Sequence, residues 1–260
     1  MPAPEDDLRL LEDAARQAGQ IAMRFWRNDP ESWDKGGDAG PVTEADLAVN
    51  AHLELMLRAA RPDYGWLSEE SEADLSRLDA EHCFIIDPID GTRAFIAGQE
   101  GFSHSLAVST GDRITAAVVY LPARDQIYTA YADGPALMDG QPIAVSTRSQ
   151  MQDATVLTYR AVSEAQNWKA GQPPPFRREF RPSLAWRLCL VAEGRFDAAL
   201  SLRSAWEWDI AAGSLIAQRA GAAVTDRRGT DMRFNSPRAA VDGLAIAGPI
   251  LHRLLVDSLV

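Results

Sequence analysis

The apolar run Cys83-Phe84-Ile85-Ile86 stops abruptly on Asp87-Pro88-Ile89-Asp90-Gly91-Thr92. It reads as a strand that delivers two carboxylates, three residues apart, into a turn stiffened by Pro88. Gly91 permits a close backbone approach. Thr92 can open a helix, whose first free N–H groups suit a phosphate. Carboxylates packed together repel one another unless a cation lies between them, and hard oxygen ligands of this kind suit Mg²⁺. The segment therefore points to metal and phosphate together. The competing reading is an Asx/Pro turn with no ligand.

The rest of the chain fits around that strand. Leu8, Leu11, Ala15, Ala18, Ile21, Ala22 and Phe25 recur at three- and four-residue steps and predict an amphipathic first helix, ended by the glycine-rich stretch Lys35 to Pro41. Thr43 is placed as an N-cap, with Glu44 and Asp46 in the first turn of a second helix that continues through Leu53, Met56, Leu57 and Ala60. Two helices are thus expected before the first strand. Strands are expected at Tyr64 to Ser68, Cys83 to Ile86, Ser105 to Ser109, Ile114 to Tyr120 and Gln126 to Tyr131, the last three as an antiparallel meander. Beyond Gly134 to Pro142, strands near Thr155 to Tyr159, Phe196 to Leu202, Ala222 to Thr225 and Leu244 to Ala247 alternate with helices near Ser183 to Ala192, Ile210 to Ala220 and Pro249 to Leu259. Gly194 and Gly221 stand at helix C-caps, and Gln166 to Pro175 reads as an exposed loop. The pattern is α+β followed by α/β: an N-terminal half over 1–142 with the carboxylate motifs and a C-terminal half over 143–260, forming one unit with the site between them.

Composition excludes some partners. With 26 Lys and Arg against 37 Asp and Glu, the net charge of −11 repels a nucleic-acid backbone. The N-terminus, Met1-Pro2-Ala3-Pro4-Glu5-Asp6-Asp7, is acidic where a signal peptide is basic and then apolar, and no apolar run reaches the length of a membrane span. A cytoplasmic protein without membrane or nucleic-acid contacts is expected. Cys83 and Cys189 lie in apolar stretches without metal spacing and are read as buried free thiols. His52, His82, His104 and His252 are scattered and are read as structural or surface residues.

Three further acidic features are each weak alone. Glu69-Glu70 follows Trp66-Leu67-Ser68, where adjacent glutamates usually mean a solvated surface; Asp209, in Trp206-Glu207-Trp208-Asp209, and Asp46 both suit helix caps. Trp206 and Trp208 read more readily as packing than as a pocket wall. Taken together, Glu69-Glu70-Ser71, Asp87 to Thr92 and Trp208 to Gly213 resemble the signature of the inositol monophosphatase family in order and separation. The resemblance extends over Pro41 to Asp46 and Cys189 to Gly194, and so over nearly the whole chain.

The resemblance implies the layered αβαβα sandwich of that family, dependence on two or three Mg²⁺ ions, lithium inhibition and a homodimer. Carried over residue by residue, Glu69, Asp87 and the Ile89 carbonyl would hold one ion, and Asp87, Asp90 and Asp209 a second. Thr92, paired with Asp46 and assisted by Glu69, would orient the attacking water; Asp90, Gly91 and Thr92 would meet the phosphate. Phosphatases that form an aspartyl-phosphate share Asp-x-Asp-Gly-Thr, but their nucleophile position is Pro88 here, which cannot act so. The expected partner is a small phosphorylated metabolite. Members specific for inositol phosphate carry an acidic residue several positions before Trp-Asp, where this chain has Leu200-Ser201-Leu202-Arg203. Arg203, with Arg181 and Arg187 around Ser183, is therefore expected to meet a second phosphate, leaning toward adenosine 3′,5′-bisphosphate. Inositol 1-phosphate, fructose 1,6-bisphosphate and histidinol phosphate stay as alternatives. An inactive binding or regulatory homologue is the non-enzymatic reading, and would be marked by a lost metal carboxylate.

Overall fold

A computed structural model describes residues 3–36 and 40–260. Gly37, Asp38 and Ala39 of the expected glycine-rich loop, with Met1 and Pro2, lie outside the described residues. Helix α1 (Pro4–Phe25) buries the predicted stripe from Leu8 to Ala22, leaving Ile21 and Phe25 only partly covered. Before the second helix comes an antiparallel ribbon of two three-residue strands, β1 (Ser32–Asp34) and β2 (Pro41–Thr43). The expectation of two helices before any strand is therefore corrected; segments this short carry no legible alternation. In α2 (Glu44–Ala60), Thr43 accepts the N–H groups of Ala45 and Asp46 while Asp46 accepts the Thr43 N–H, a reciprocal capping box.

The chain then lays down β3 (Gly65–Ser68), β4 (His82–Asp90), a short α3 (Thr92–Ile96), β5 (Ser103–Thr110), β6 (Arg113–Leu121), β7 (Gln126–Tyr131), β8 (Leu137–Met138) and β9 (Gln141–Pro142). These seven strands form one sheet in sequence order, antiparallel except for the β3–β4 pair. The second half supplies β10 (Thr155–Leu157), β11 (Arg177–Glu179), α4 (Leu184–Ala192), β12 (Ala198–Ser201), β13 (Ala205–Trp206), α5 (Glu207–Arg219), β14 (Ala223–Thr225), β15 (Ala240–Val241), β16 (Leu244–Ala247) and α6 (Pro249–Ser258). Five of these strands make a second sheet in the order β11-β10-β12-β16-β14, and β13 pairs with β15 apart from it.

Helices α1 and α2 cover one face of the large sheet, α4 and α5 fill the space between the two sheets, and α6 covers the far face of the small sheet. Three apolar cores fill the four interfaces of these five layers, the middle one lying on both sides of α4 and α5, and the layers are the αβαβα sandwich. The middle core joins Ile85 and Val119 of the large sheet to Leu188 and Ile216 of α4 and α5 and to Ile246 of the small sheet. Cys83 and Cys189 are buried and free. Among the described residues no helix is long and apolar enough to cross a membrane.

The close approach of α4 and α5 rests on Gly213. A methyl group added there would lie 2.6 Å from Leu188 Cβ and 3.2 Å from the Ala185 carbonyl. Gly213→Ala is expected to cost about 1–3 kcal/mol by overpacking, measured as a lower midpoint in denaturant unfolding. An unchanged midpoint would show that the two helices part freely.

Candidate functional site

Strand β4 does not stop at Ile86, as the turn signal suggests. It runs on to Asp90, with Asp87 opposite Ser105 and Asp90 opposite Ser103, so three residue steps on β4 face two on β5. The extra residue is a bulge, which suits Pro88 because proline has no N–H to give to a ladder. The bulge turns Asp87 and Asp90 toward the layer holding α4 and α5. Gly91 follows at φ 99°, where a Cβ would come within 3.1 Å of the Gly101 carbonyl. Any side chain there meets both backbone strain and a clash.

Three carboxylates converge at this point. Glu69 at the end of β3, Asp87 on β4 and Asp209 on α5 each offer an oxygen, all within 4.8 Å of one another. Asp209 is the third residue of α5 rather than its cap; the capping position is Trp206, whose side chain makes no capping bond. Burial, then the charges of Glu69, Asp90 and other neighbouring acids, holds the Asp87 carboxyl well above the usual carboxylate range. Asp209 is raised by burial and by the charges of Asp90 and Glu69. Asp87 Oδ1 is buried and has no hydrogen-bond partner. An orphaned carboxylate oxygen facing two other acids is a poor arrangement for a protein by itself and a good one around a hard divalent cation. The residues present therefore fit a metal ion.

Asp90 is placed differently. Its Oδ2 accepts the Ser183 hydroxyl and the Ala185 N–H, both at 2.6 Å, so it closes the N-terminus of α4. Only Oδ1 stays available to the acid cluster. Ser183 is fully buried, donating to Asp90 and lying 3.0 Å from Ser103 Oγ. Its hydroxyl, expected to meet substrate, is engaged in the capping of α4. Asp46 and Thr92 do meet: Thr92 Oγ lies 3.4 Å from Asp46 Oδ1 and 3.2 Å from the Ile89 carbonyl. Burial pushes Asp46 up to about 7 against the hydrogen bonds from Thr43, with Glu70 and Glu69 adding to the rise.

Glu69, Asp87, Ile89, Asp90, Gly91, Thr92 and Asp209 all line one cavity of about 630 Å³. Arg203 does not. It stacks on Tyr159 at 4.8 Å and lines a second cavity with Arg160 and Glu164. That placement sets it apart from the cavity it was expected to join. Trp206 stacks on Trp208 at 5.0 Å with its outer face exposed, while Trp208 packs against the middle core.

Several contributors were not apparent from sequence. Lys35 at the end of β1 places its ammonium 2.8 Å from both Glu69 and Glu70. Burial pulls the Lys35 pKa down, but the two glutamates outweigh it and the net shift is upward. Glu207 is fully buried and accepts the N–H groups of Asn235 and Ser236, which ties the first turn of α5 to that loop. Strand β5 braces the centre from both faces: Ser105 Oγ donates to the Trp208 carbonyl at 2.8 Å, and buried His104 hydrogen-bonds through Nδ1 to the Pro88 carbonyl, between Asp87 and Asp90. The polar run Ser103-His104-Ser105 at the start of β5 was the available signal, but it does not reveal its partners.

Converging carboxylates at the strand and helix ends of a five-layer sandwich define a class of phosphate-ester hydrolases. The chain belongs to the inositol monophosphatase family, whose model matches residues 4–259. It is 35% identical over 232 residues to an inositol-1-monophosphatase of Rhizobium meliloti, covering 85% of this chain and 86% of that one. It is 33% identical to a protein named Nus factor SuhB of Haemophilus influenzae, covering 84% of each. Among solved structures, an IMPase of Thermotoga maritima superposes with a TM-score of 0.83 at 27% identity, over 97% of this chain and 96% of that one. Family membership makes the chain a phosphoric monoester hydrolase, of a family that depends on metal.

Proposed function

We propose that the chain hydrolyses small, soluble phosphate monoesters with Mg²⁺ at the Glu69–Asp87–Asp209 cluster. The observation that carries this reading is the buried, unpartnered Asp87 Oδ1 facing two other carboxylates. Glu69, Asp87, Asp209, the free oxygen of Asp90 and the Ile89 carbonyl would hold two or three ions. Bound there, Mg²⁺ supplies positive charge to the phosphoryl oxygens and lowers the pKa of a coordinated water. Thr92 orients the incoming water: with its proton directed at Asp46 or the Ile89 carbonyl, its lone pairs are left to accept from that water. Glu69 assists at the same position. The Gly91 and Thr92 N–H groups, which donate to no backbone carbonyl in the loops and turns of the described residues, hold the phosphate. Lys35 balances Glu69 and Glu70 at the cavity edge. Lithium inhibition and a homodimer belong to the same proposal.

For the substrate, a monoester bearing a second phosphate, represented by adenosine 3′,5′-bisphosphate, is preferred over inositol 1-phosphate. Where members specific for inositol phosphate carry an acidic residue before Trp-Asp, this chain has Leu200-Ser201-Leu202-Arg203. Inositol 1-phosphate is the second reading, favoured by the names of the relatives. Phosphate release from a panel of both compounds, fructose 1,6-bisphosphate and histidinol phosphate separates them. The highest kcat/KM is expected for the nucleotide, and a higher value for inositol 1-phosphate would reverse the assignment.

A further inference from the structure

Three arginines lie close in sequence to the segments that build the cavity, and the structure sorts them. Arg203 faces the second cavity. Arg181 lies over the Phe196 ring at 5.0 Å and 3.7 Å from Glu179. Arg187, on α4, lines the acidic cavity itself. Its Nε donates to the Arg181 carbonyl, its Nη2 donates to the Pro182 carbonyl at 3.2 Å, and its guanidinium lies over the Phe180 ring at 4.4 Å. Those contacts fix the fork before any ligand arrives. Nη1 has no hydrogen-bond partner among the described residues, and it is not a buried orphan either. It is therefore a free donor on a residue that lines the cavity.

Burial lowers the Arg187 pKa, against the nearby charges of Asp90 and Asp209, which act to raise it. In the metal-free protein it offsets them. Once cations balance these acids, the charge of the guanidinium is available to another anion, and a preorganised fork loses little freedom in taking it. Phe180, half exposed beside it, supplies an apolar wall to the same cavity. We propose that Arg187 is the specificity-determining contact for a second phosphate carried by the alcohol portion of the substrate, an inference that rests on the phosphatase reading above. Arg93 also lines the cavity, but it is exposed and no hydrogen bond or ion pair fixes it among the described residues. Arg187 is thus the one held in place.

The test compares adenosine 3′,5′-bisphosphate with adenosine 3′-monophosphate, which differ by one phosphate. Both kcat/KM for phosphate release with Mg²⁺ and calorimetric Kd are measured in wild type, Arg187→Ala, Arg187→Lys and Arg203→Ala. A charge-assisted contact contributes about ten- to a hundredfold in affinity. Wild type is expected to prefer the bisphosphate by that factor, Arg187→Ala to lose the preference, Arg187→Lys to keep part of it and Arg203→Ala to keep it all. No preference in wild type, or one unchanged in Arg187→Ala, would overturn the assignment. If neither compound is hydrolysed, the phosphatase reading fails for nucleotides, and the Kd ratios still decide the role of Arg187.

Discussion

Replacing Asp87 by asparagine is expected to lower phosphate release by about a hundredfold or more, since even outer partners of metal ligands typically cost 10–100-fold. The same change should raise the melting temperature of the metal-free protein. Asp87 sits within 4.8 Å of two other carboxylates. Unit charges at that separation repel by roughly 3–4 kcal/mol at an effective dielectric of 20. In the wild-type protein, burial and these neighbouring acids raise the Asp87 carboxyl well above the usual carboxylate range and leave one of its oxygens without a partner. An asparagine amide carries no charge and so removes that repulsion. Each kcal/mol so relieved is worth about 2–4 °C in a chain of this size. Melting with EDTA and melting with saturating Mg²⁺ should therefore move in opposite directions in the variant relative to wild type. Wild-type turnover, or a variant destabilised in EDTA, would show that the cluster is an ordinary polar network.

Thr92→Ala should lower kcat by about 10²–10⁴-fold with KM little changed, the range typical for losing a group that positions a proton transfer. Its hydroxyl is the atom that bridges Asp46 and the Ile89 carbonyl. Thr92 is buried at the start of a five-residue helix and caps nothing, so the fold should persist with a melting temperature close to that of wild type. Thr92→Ser keeps the hydroxyl and should recover most of the rate. Equal losses in the alanine and serine variants would point to packing by the methyl group instead of orientation by the oxygen.

What could be read from sequence is what local physics determines. β7 at Gln126–Tyr131 and β16 at Leu244–Ala247 fall where their apolar runs end, and α2 starts on Thr43 because the capping box is written within four residues. The carboxylate motif announces a cation because two acids three residues apart, held by proline and glycine, leave few other uses. Long-range placement was not readable. Nothing within the Asp90 segment shows that one of its oxygens is spent on α4, 93 residues away at Ser183. Lys35 reaches Glu69 across 34 residues, and His104 reaches Pro88 from the opposite face of the sheet. Pro88 looked like the end of a strand because proline usually ends one; the bulge lets β4 continue. Arg203 looked nearer the site than Arg187 because it precedes Trp208-Asp209 by only a few residues, whereas β13 and the start of α5 intervene and carry Asp209 into a different cavity.

The central claim is that the Glu69–Asp87–Asp209 cluster works as a metal-dependent phosphomonoesterase. It is tested most directly by stripping the purified protein with EDTA, removing the chelator, and following phosphate release as Mg²⁺ is returned, with the panel substrate of highest kcat/KM. Activity should vanish on stripping and return with Mg²⁺ in a saturable way in wild type, and should fail to return in Asp87→Asn. Undiminished release from the stripped protein would contradict it.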